Sequence, residues 1–230
     1  MQLILKYDNV REGRFISRPN RFIAIVELDG EEITVHVKNT GRCKELLIPG
    51  CTVYLEKAKN PERKTPYDLI AVKKGDILIN MDSQVVNGAA EEWIKKSGIF
   101  SSDARVKREV THGASRFDLY IEDGDRRAFL EVKGVTLEKE GAALFPDAPT
   151  LRGVKHLNHL SEAILEGYEA YVLFVIQMKG VVSFSPNDEM HKDFGDALRD
   201  ARRNGVKVLA YDCIVTPDSV EIDSPVGVKL

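Results

Sequence analysis

The stretch SRFDLYIEDGDRRAFLEVK, Ser115 to Lys133, contains two apolar, β-prone runs, Phe117 to Ile121 and Ala128 to Val132, separated by the turn-forming Glu122-Asp123-Gly124-Asp125. Runs joined by so short a glycine-containing turn are expected to pair as antiparallel neighbours. Alternate residues of a strand share a face, so the carboxylate of Glu131 and the ammonium of Lys133 should stand side by side, with Asp118 facing them from the adjoining strand. Two hard oxygen ligands suit Mg²⁺ or Mn²⁺, which retain several waters, and a neighbouring lysine can position or deprotonate one of those waters. Hydrolysis of a phosphodiester needs that set. The competing interpretation is a surface salt bridge, because acid-x-Lys triplets are cheap in a chain with 30% charged residues. A second copy, Glu62-Arg63-Lys64, lies among Asn60, Pro61, Thr65 and Pro66, where neither a strand nor a facing Asp is expected. Spacing alone leaves both interpretations open.

A chain of 230 residues with 43% hydrophobic content can form one large or two small domains with packed cores. The formal net charge is -3, so no global cationic field announces nucleic acid and any such binding must come from a local patch. No apolar run approaches a membrane span, the longest being Ala170 to Ile176, and the first residues lack a signal-peptide pattern. Three cysteines, Cys43, Cys51 and Cys213, show no metal-ligand spacing and read as reduced thiols of a cytoplasmic protein. Zinc-site histidine spacing and a glycine-rich phosphate loop are both absent, and Ser115 has no acid–base pair near it in sequence.

Outward from the hairpin, the chain divides near Asp82. In the first part, Phe22 to Leu28 and Ile33 to Val37 alternate well across Asp29-Gly30, and further short strands fit Leu3 to Tyr7, Thr52 to Glu56, Leu69 to Val72 and Ile77 to Ile79. Five or six such strands suggest a small closed barrel over 1–82, and the OB-fold is the commonest of these that binds nucleic acid. Arg11, Arg14, Arg18 and Arg21 crowd what reads as a loop before the first long strand, interleaved with Phe15 and Phe22, and can track phosphates. A barrel without a ligand is the alternative, since few aromatics offer stacking platforms.

Over 83–230 the pattern becomes helix, three strands, helix, strand, helix, strand, the order of an α/β core around one mixed sheet. The helices fit Val85 to Ser97, Leu151 to Glu166 and Glu189 to Arg203. The strands fit Arg105 to Val110, the hairpin pair, the doubly buried Tyr171 to Ile176, and a final Lys207 to Tyr211. Glu92 on the first helix is a candidate to complete the metal shell, with Glu91 reading as solvated. Glu109 reads as an ion-pair partner among basic neighbours. Arg152, Lys155, His156 and His159 share a polar side of the second helix near its start, where backbone N–H groups attract phosphate. A solvated helix face is the competing account.

With these residues in view, the chain resembles the sugar fermentation stimulation protein family over nearly its whole length. The resemblance is carried by His36-Val37-Lys38-Asn39-Thr40-Gly41, Ser115-Arg116-Phe117-Asp118, Glu131-Val132-Lys133-Gly134-Val135-Thr136-Leu137 and FPDAPTLRGVKHL at Phe145 to Leu157. It implies an N-terminal OB-like barrel followed by a PD-(D/E)XK restriction-endonuclease-like α/β domain with a mixed sheet, and DNA as the partner, with RNA as the alternative. It places Asp118, Glu131, Lys133 and Glu92 in a catalytic site and Arg152, Lys155 and His156 on a basic helix. Asp118 and Glu131 are then the candidates for Mg²⁺ or Mn²⁺, and Arg14, Arg18 and Arg116 join the basic helix as candidates for nucleic acid. Lys38 stands where proline is expected from the family, Leu119 where an aromatic is common and His159 where an acid is usual; none of these departures touches Asp118, Glu131 or Lys133. Two functions compete: a metal-dependent nuclease, and a DNA-binding regulator of sugar metabolism genes that uses the nuclease-like core as a scaffold. Oligomeric state is open, a homodimer included.

Overall fold

A computed structural model describes residues 5–39 and 41–230. In chain order the elements are β1 (Leu5–Lys6), β2 (Val10–Asn20), β3 (Ile23–Leu28), β4 (Glu31–Val37), β5 (Thr52–Lys57), β6 (Tyr67–Lys74), β7 (Ile77–Asn80) and α1 (Val85–Ile94). They continue with β8 (Arg105–His112), β9 (Ser115–Asp123), β10 (Arg126–Val135), β11 (Leu137–Lys139), β12 (Ala142–Phe145), α2 (Leu151–Leu165) and β13 (Glu169–Ile176). The chain ends with β14 (Ser183–Pro186), α3 (Asp188–Arg203), β15 (Lys207–Thr216), β16 (Ser219–Pro225) and β17 (Gly227–Val228).

Strands β2 to β6 close a five-stranded barrel: β4-β3-β2-β5-β6 are neighbours in order, and a parallel β4–β6 pairing at His36↔Asp68 and Val37↔Leu69 seals it. This is the OB-like barrel expected from the sequence. Alternating residues fill it, among them Phe15, Ala24, Val26, Val35, Val37, Val53, Leu55, Leu69 and Val72. The β3–β4 turn places both Asp29 and Gly30 at positive φ, 56° and 84°, as a two-residue hairpin whose twist matches its strands demands.

The second part is a seven-stranded mixed sheet, β1-β16-β15-β13-β10-β9-β8, with β10, β13 and β15 parallel. Residues of β13 alternate between two cores. Ala170, Val172, Phe174 and Ile176 join the side packed by Leu157, Leu160 and Ala163 of α2 and Phe194 and Leu198 of α3. Tyr171, Leu173 and Val175 join the side packed by Val86, Ala89, Ala90, Trp93 and Ile94 of α1. A strand covered on both faces reads as a continuous apolar run, which is why this one was legible.

Several expectations change. The Arg11 to Arg21 stretch is strand β2, not a loop, because it pairs with β3 on one side and β5 on the other. Leu5 and Lys6 hydrogen-bond with β16 of the second sheet instead of joining the barrel, and the rest of the expected strand at Leu3 and Ile4 lies outside the described residues, as does Thr40. The strand at Lys207 continues to Thr216 and is not the last, since β16 folds back on it. A further four-stranded sheet, β11-β12-β14-β17, was not anticipated; its strands are two to four residues long, too short to show a period.

Candidate metal and nucleic-acid site

The β9–β10 ladder runs from Arg126↔Asp123 to Leu130↔Leu119 and stops there, one residue short of both Asp118 and Glu131. At the same point β9 turns over: Leu119 and Ile121 belong to the α1 core, whereas Phe117 belongs to the α2 core. Opposite, on β8, the ladder to β9 skips Glu109, whose φ is 55°. A non-glycine residue in that region is strained, and strain persists where surrounding structure over-determines it. Asp118 therefore sits in a break in the sheet, where backbone groups are freed. Its Oδ2 accepts the Val132 N–H at 2.8 Å, and its Oδ1 accepts Asn87 Nδ2 of α1 at 3.0 Å.

Glu131 is buried. Its Oε1 takes the Lys133 ammonium and the His156 imidazole of α2 together, in short contacts. Arg152 Nε donates to His156 Nε2 at 3.3 Å, so the tautomer that serves both contacts carries its proton on Nδ1. Glu131 Oε2 is buried with no hydrogen-bond partner, a costly state for a carboxylate oxygen. Burial alone would push the Glu131 carboxyl up, but the hydrogen bond from His156 and the charge and hydrogen bond of Lys133 hold it below the usual carboxylate range. Asp118 moves the other way. Burial and then the Glu131 charge push it up, against the Val132 N–H, Lys133 and Asn87.

Asp118, Glu131, Lys133 and His156 are thus brought together, with Asn87 as a member that sequence reasoning missed. Asn87 sits between Val86 and Ala90 on the sheet-facing side of α1, and a polar residue there was the available signal. Glu92, expected to complete a metal shell, does not reach it. Five residues on from Asn87 in a helix is about 140° around the axis, and Glu92 lies with Lys96, Val220 and Glu221 beside β16. Burial pushes its carboxyl up.

The expected phosphate contacts also redistribute. His156 is buried on Glu131 and not on the surface, while Arg152 and Lys155 are exposed on the same helix. Arg116 is exposed and ion-pairs with Glu109. Arg14 is exposed on β2. Arg18 is no free cation: it donates to the carbonyls of Arg21, Asn39, Gly41 and Arg42 at 2.6–3.0 Å and staples two loops. Ser115, which had no acid–base neighbour in sequence, contacts His159 Nδ1 through its hydroxyl, a pairing across 44 residues.

Among the described residues no cluster of three or more His, Cys, Asp or Glu could cage an ion. The Asp118–Glu131 pair with its unpartnered Oε2 nevertheless fits a hard divalent cation that keeps most of its waters. Zinc, which asks for a full protein tetrahedron in structural sites, does not fit.

Comparison with known proteins follows the same outline. The family model described as sugar fermentation stimulation protein RE domain matches residues 84–219, and the SfsA N-terminal OB domain model matches 16–81. A sugar fermentation stimulation protein homolog of Desulfitobacterium hafniense is 61% identical over 98% of this chain and 99% of its own. One from Clostridium beijerinckii is 57% identical over 98% and 100%. The structure of Pyrococcus furiosus SfsA in complex with Ca²⁺ superposes with a TM-score of 0.89 at 26% identity, covering 99% of this chain and 100% of that one.

Proposed function

The chain belongs to the sugar fermentation stimulation protein family, and from that premise we propose that it is a divalent-metal-dependent nuclease that binds DNA and hydrolyses its phosphodiester bonds. The observation that carries this reading is the buried, unpartnered Glu131 Oε2 near a second, half-buried carboxylate, Asp118, whose charged form is disfavoured. Asp118 held beside Glu131 is disfavoured in its charged form, a cost that a bound divalent cation would offset. The Ca²⁺ of the archaeal relative supports an oxygen-ligated cation in this fold, because Ca²⁺ and Mg²⁺ share a preference for carboxylates.

Asp118 and Glu131 would hold the ion, which would polarise the phosphoryl oxygen and acidify a water. Through its Nδ1 proton His156 fixes Glu131 Oε1 and leaves Oε2 free, an orienting contact behind the ligand. Lys133, tethered to the same Oε1, presents its remaining protons to the attacking water and to charge developing on phosphate. Arg152 and Lys155, exposed at the start of α2, neutralise backbone phosphates as they enter.

The test is cleavage of single-stranded, duplex and branched DNA with Mg²⁺ or Mn²⁺, alongside a crystal soaked in Mn²⁺. Anomalous density between Asp118 and Glu131, with oxygens at about 2.1–2.3 Å, and cleavage abolished by Asp118→Asn are expected. Absence of cleavage on every substrate, with DNA still bound, would leave the non-catalytic regulator.

A further inference from the structure

The β2–β3 hairpin, residues 41–44 and the loop before α2 line a cleft of about 490 Å³. Its lining sets the exposed Arg21, Arg42 and Lys44 beside the buried Cys43 and Leu47. Among the described residues none of those three cations has a carboxylate within ion-pairing distance. Asp147 on the facing loop accepts the Arg42 backbone N–H at 3.2 Å and makes no ion pair with these side chains. Phe22 follows Arg21 on the hairpin turn and is 51% exposed, although Phe15 on the same hairpin is buried in the barrel. Exposing a phenylalanine beside unpaired cations gives up burial, which a bound partner would restore.

The cleft is also placed. A second, smaller cavity of about 150 Å³ shares Gly41 with it and extends to Gly134, the residue after Lys133. Gly41 is needed at this junction, because a Cβ there would meet Asp147 Oδ2 at 2.2 Å. The two cavities run from the hairpin to the catalytic strand.

We propose that this cleft, together with Phe22, which adjoins it next to Arg21 without lining it, seats an unpaired DNA strand, with a base stacked on Phe22 and phosphates on Arg21, Arg42 and Lys44, and so makes the substrate single-stranded or partly unpaired DNA. The proposal rests on the nuclease reading for its substrate but concerns binding at residues remote from Asp118 and Glu131. A duplex is about 20 Å across and offers its stacked bases edge-on, whereas an exposed ring needs a free base face, which only an unpaired strand presents.

The experiment measures fluorescence anisotropy of an oligothymidine, a duplex of equal length and the matching RNA, all in chelator so that cleavage plays no part. The oligothymidine should bind more tightly than the duplex. Phe22→Ala should weaken it roughly tenfold, the scale of one lost base stack, leave the duplex unchanged, and be rescued by Phe22→Trp. Arg42→Gln with Lys44→Gln should lower the salt slope by about 1.4, from about 0.7 per phosphate on a single strand. These exposed positions should leave folding intact, checked by circular dichroism. Tighter binding of duplex or RNA, or an unaltered oligothymidine affinity in Phe22→Ala, overturns the proposal. Failure of the nuclease reading looks different: tight, Phe22-dependent binding with no cleavage once Mn²⁺ is added.

Discussion

Asp118 and Glu131 are held in opposite ways, and that contrast is measurable. A carboxyl lowered in the fold, as Glu131 is, binds fewer protons folded than unfolded; its contribution is complete above the ordinary glutamate range and is lost as the pH falls through its folded value. A carboxyl raised in the fold, as Asp118 is, does the reverse, and its cost develops as the pH rises through the ordinary range into its raised value. Asp118→Asn should therefore raise the melting temperature of the metal-free protein at neutral pH and remove the further rise on adding Mn²⁺. Glu131→Gln should lower it, with a loss of unfolding free energy of about 3 kcal/mol or more in urea titration, because Lys133 loses its buried partner. The same sign for both substitutions would refute the assignment. Lys133→Ala tests chemistry: DNA affinity should persist while the cleavage rate drops roughly a hundredfold or more, and an unchanged single-turnover rate would remove the lysine from the mechanism.

At the scale of elements, β10 passes from chemistry to architecture within one residue. Gly134 follows Lys133, and a Cβ on it would meet Gln177 Oε1 at 2.6 Å and Val86 Cγ1 at 3.2 Å. Gln177 Nε2 donates to Asn80 Oδ1 at 2.8 Å and to the Asp82 carbonyl at 3.0 Å, tying the end of β13 to the segment that leaves the barrel. Gly134→Ala should break that tie and cost about 1–3 kcal/mol, read from the urea midpoint; a neutral substitution would mean that Gln177 has room to move. Helix α2 has a comparable division of labour. Thr150 caps it by accepting the Gly153 N–H at 3.0 Å, His156 faces Glu131, and Arg152 and Lys155 face solvent. Replacing Arg152 and Lys155 together by alanine should reduce the salt slope of duplex binding by about 1.8, at about 0.9 per phosphate contact. An unaltered slope would show that DNA does not touch this helix.

Across the whole molecule, barrel and sheet are not loosely tethered. One contiguous apolar core runs from the barrel into the side of the sheet covered by α2 and α3. Beside it Lys38 bridges Glu56, Asp68 and Asp82 at 3.2–3.7 Å, and Asn80 donates to the Tyr7 hydroxyl at 2.9 Å. Lys38→Met leaves three largely buried carboxylates without their shared cation and should cost about 3–5 kcal/mol. Barrel and sheet should then still unfold in one transition, and separate transitions in the wild type would refute the coupling. The described helices include none long and apolar enough to cross a membrane.

Legibility followed the range of the interactions. Strict alternation around a shared core determined barrel strands β3 to β6, burial on both faces determined β13, and the amphipathic period determined α1, α2 and α3, because each pattern repeats within a few residues. Glu131 and Lys133 were legible as neighbours for the same reason, standing two residues apart on one strand. Asn87, the buried His156, the misplaced Glu92, the stapling Arg18 and the Ser115–His159 contact were not. Each depends on which element packs against which, and at Asp118 the strand abandons the two-residue period on which the sequence argument rests. Composition and spacing determined which groups this protein owns; only tertiary packing decided which of them meet, since partners dozens of residues apart leave no periodic trace in the chain.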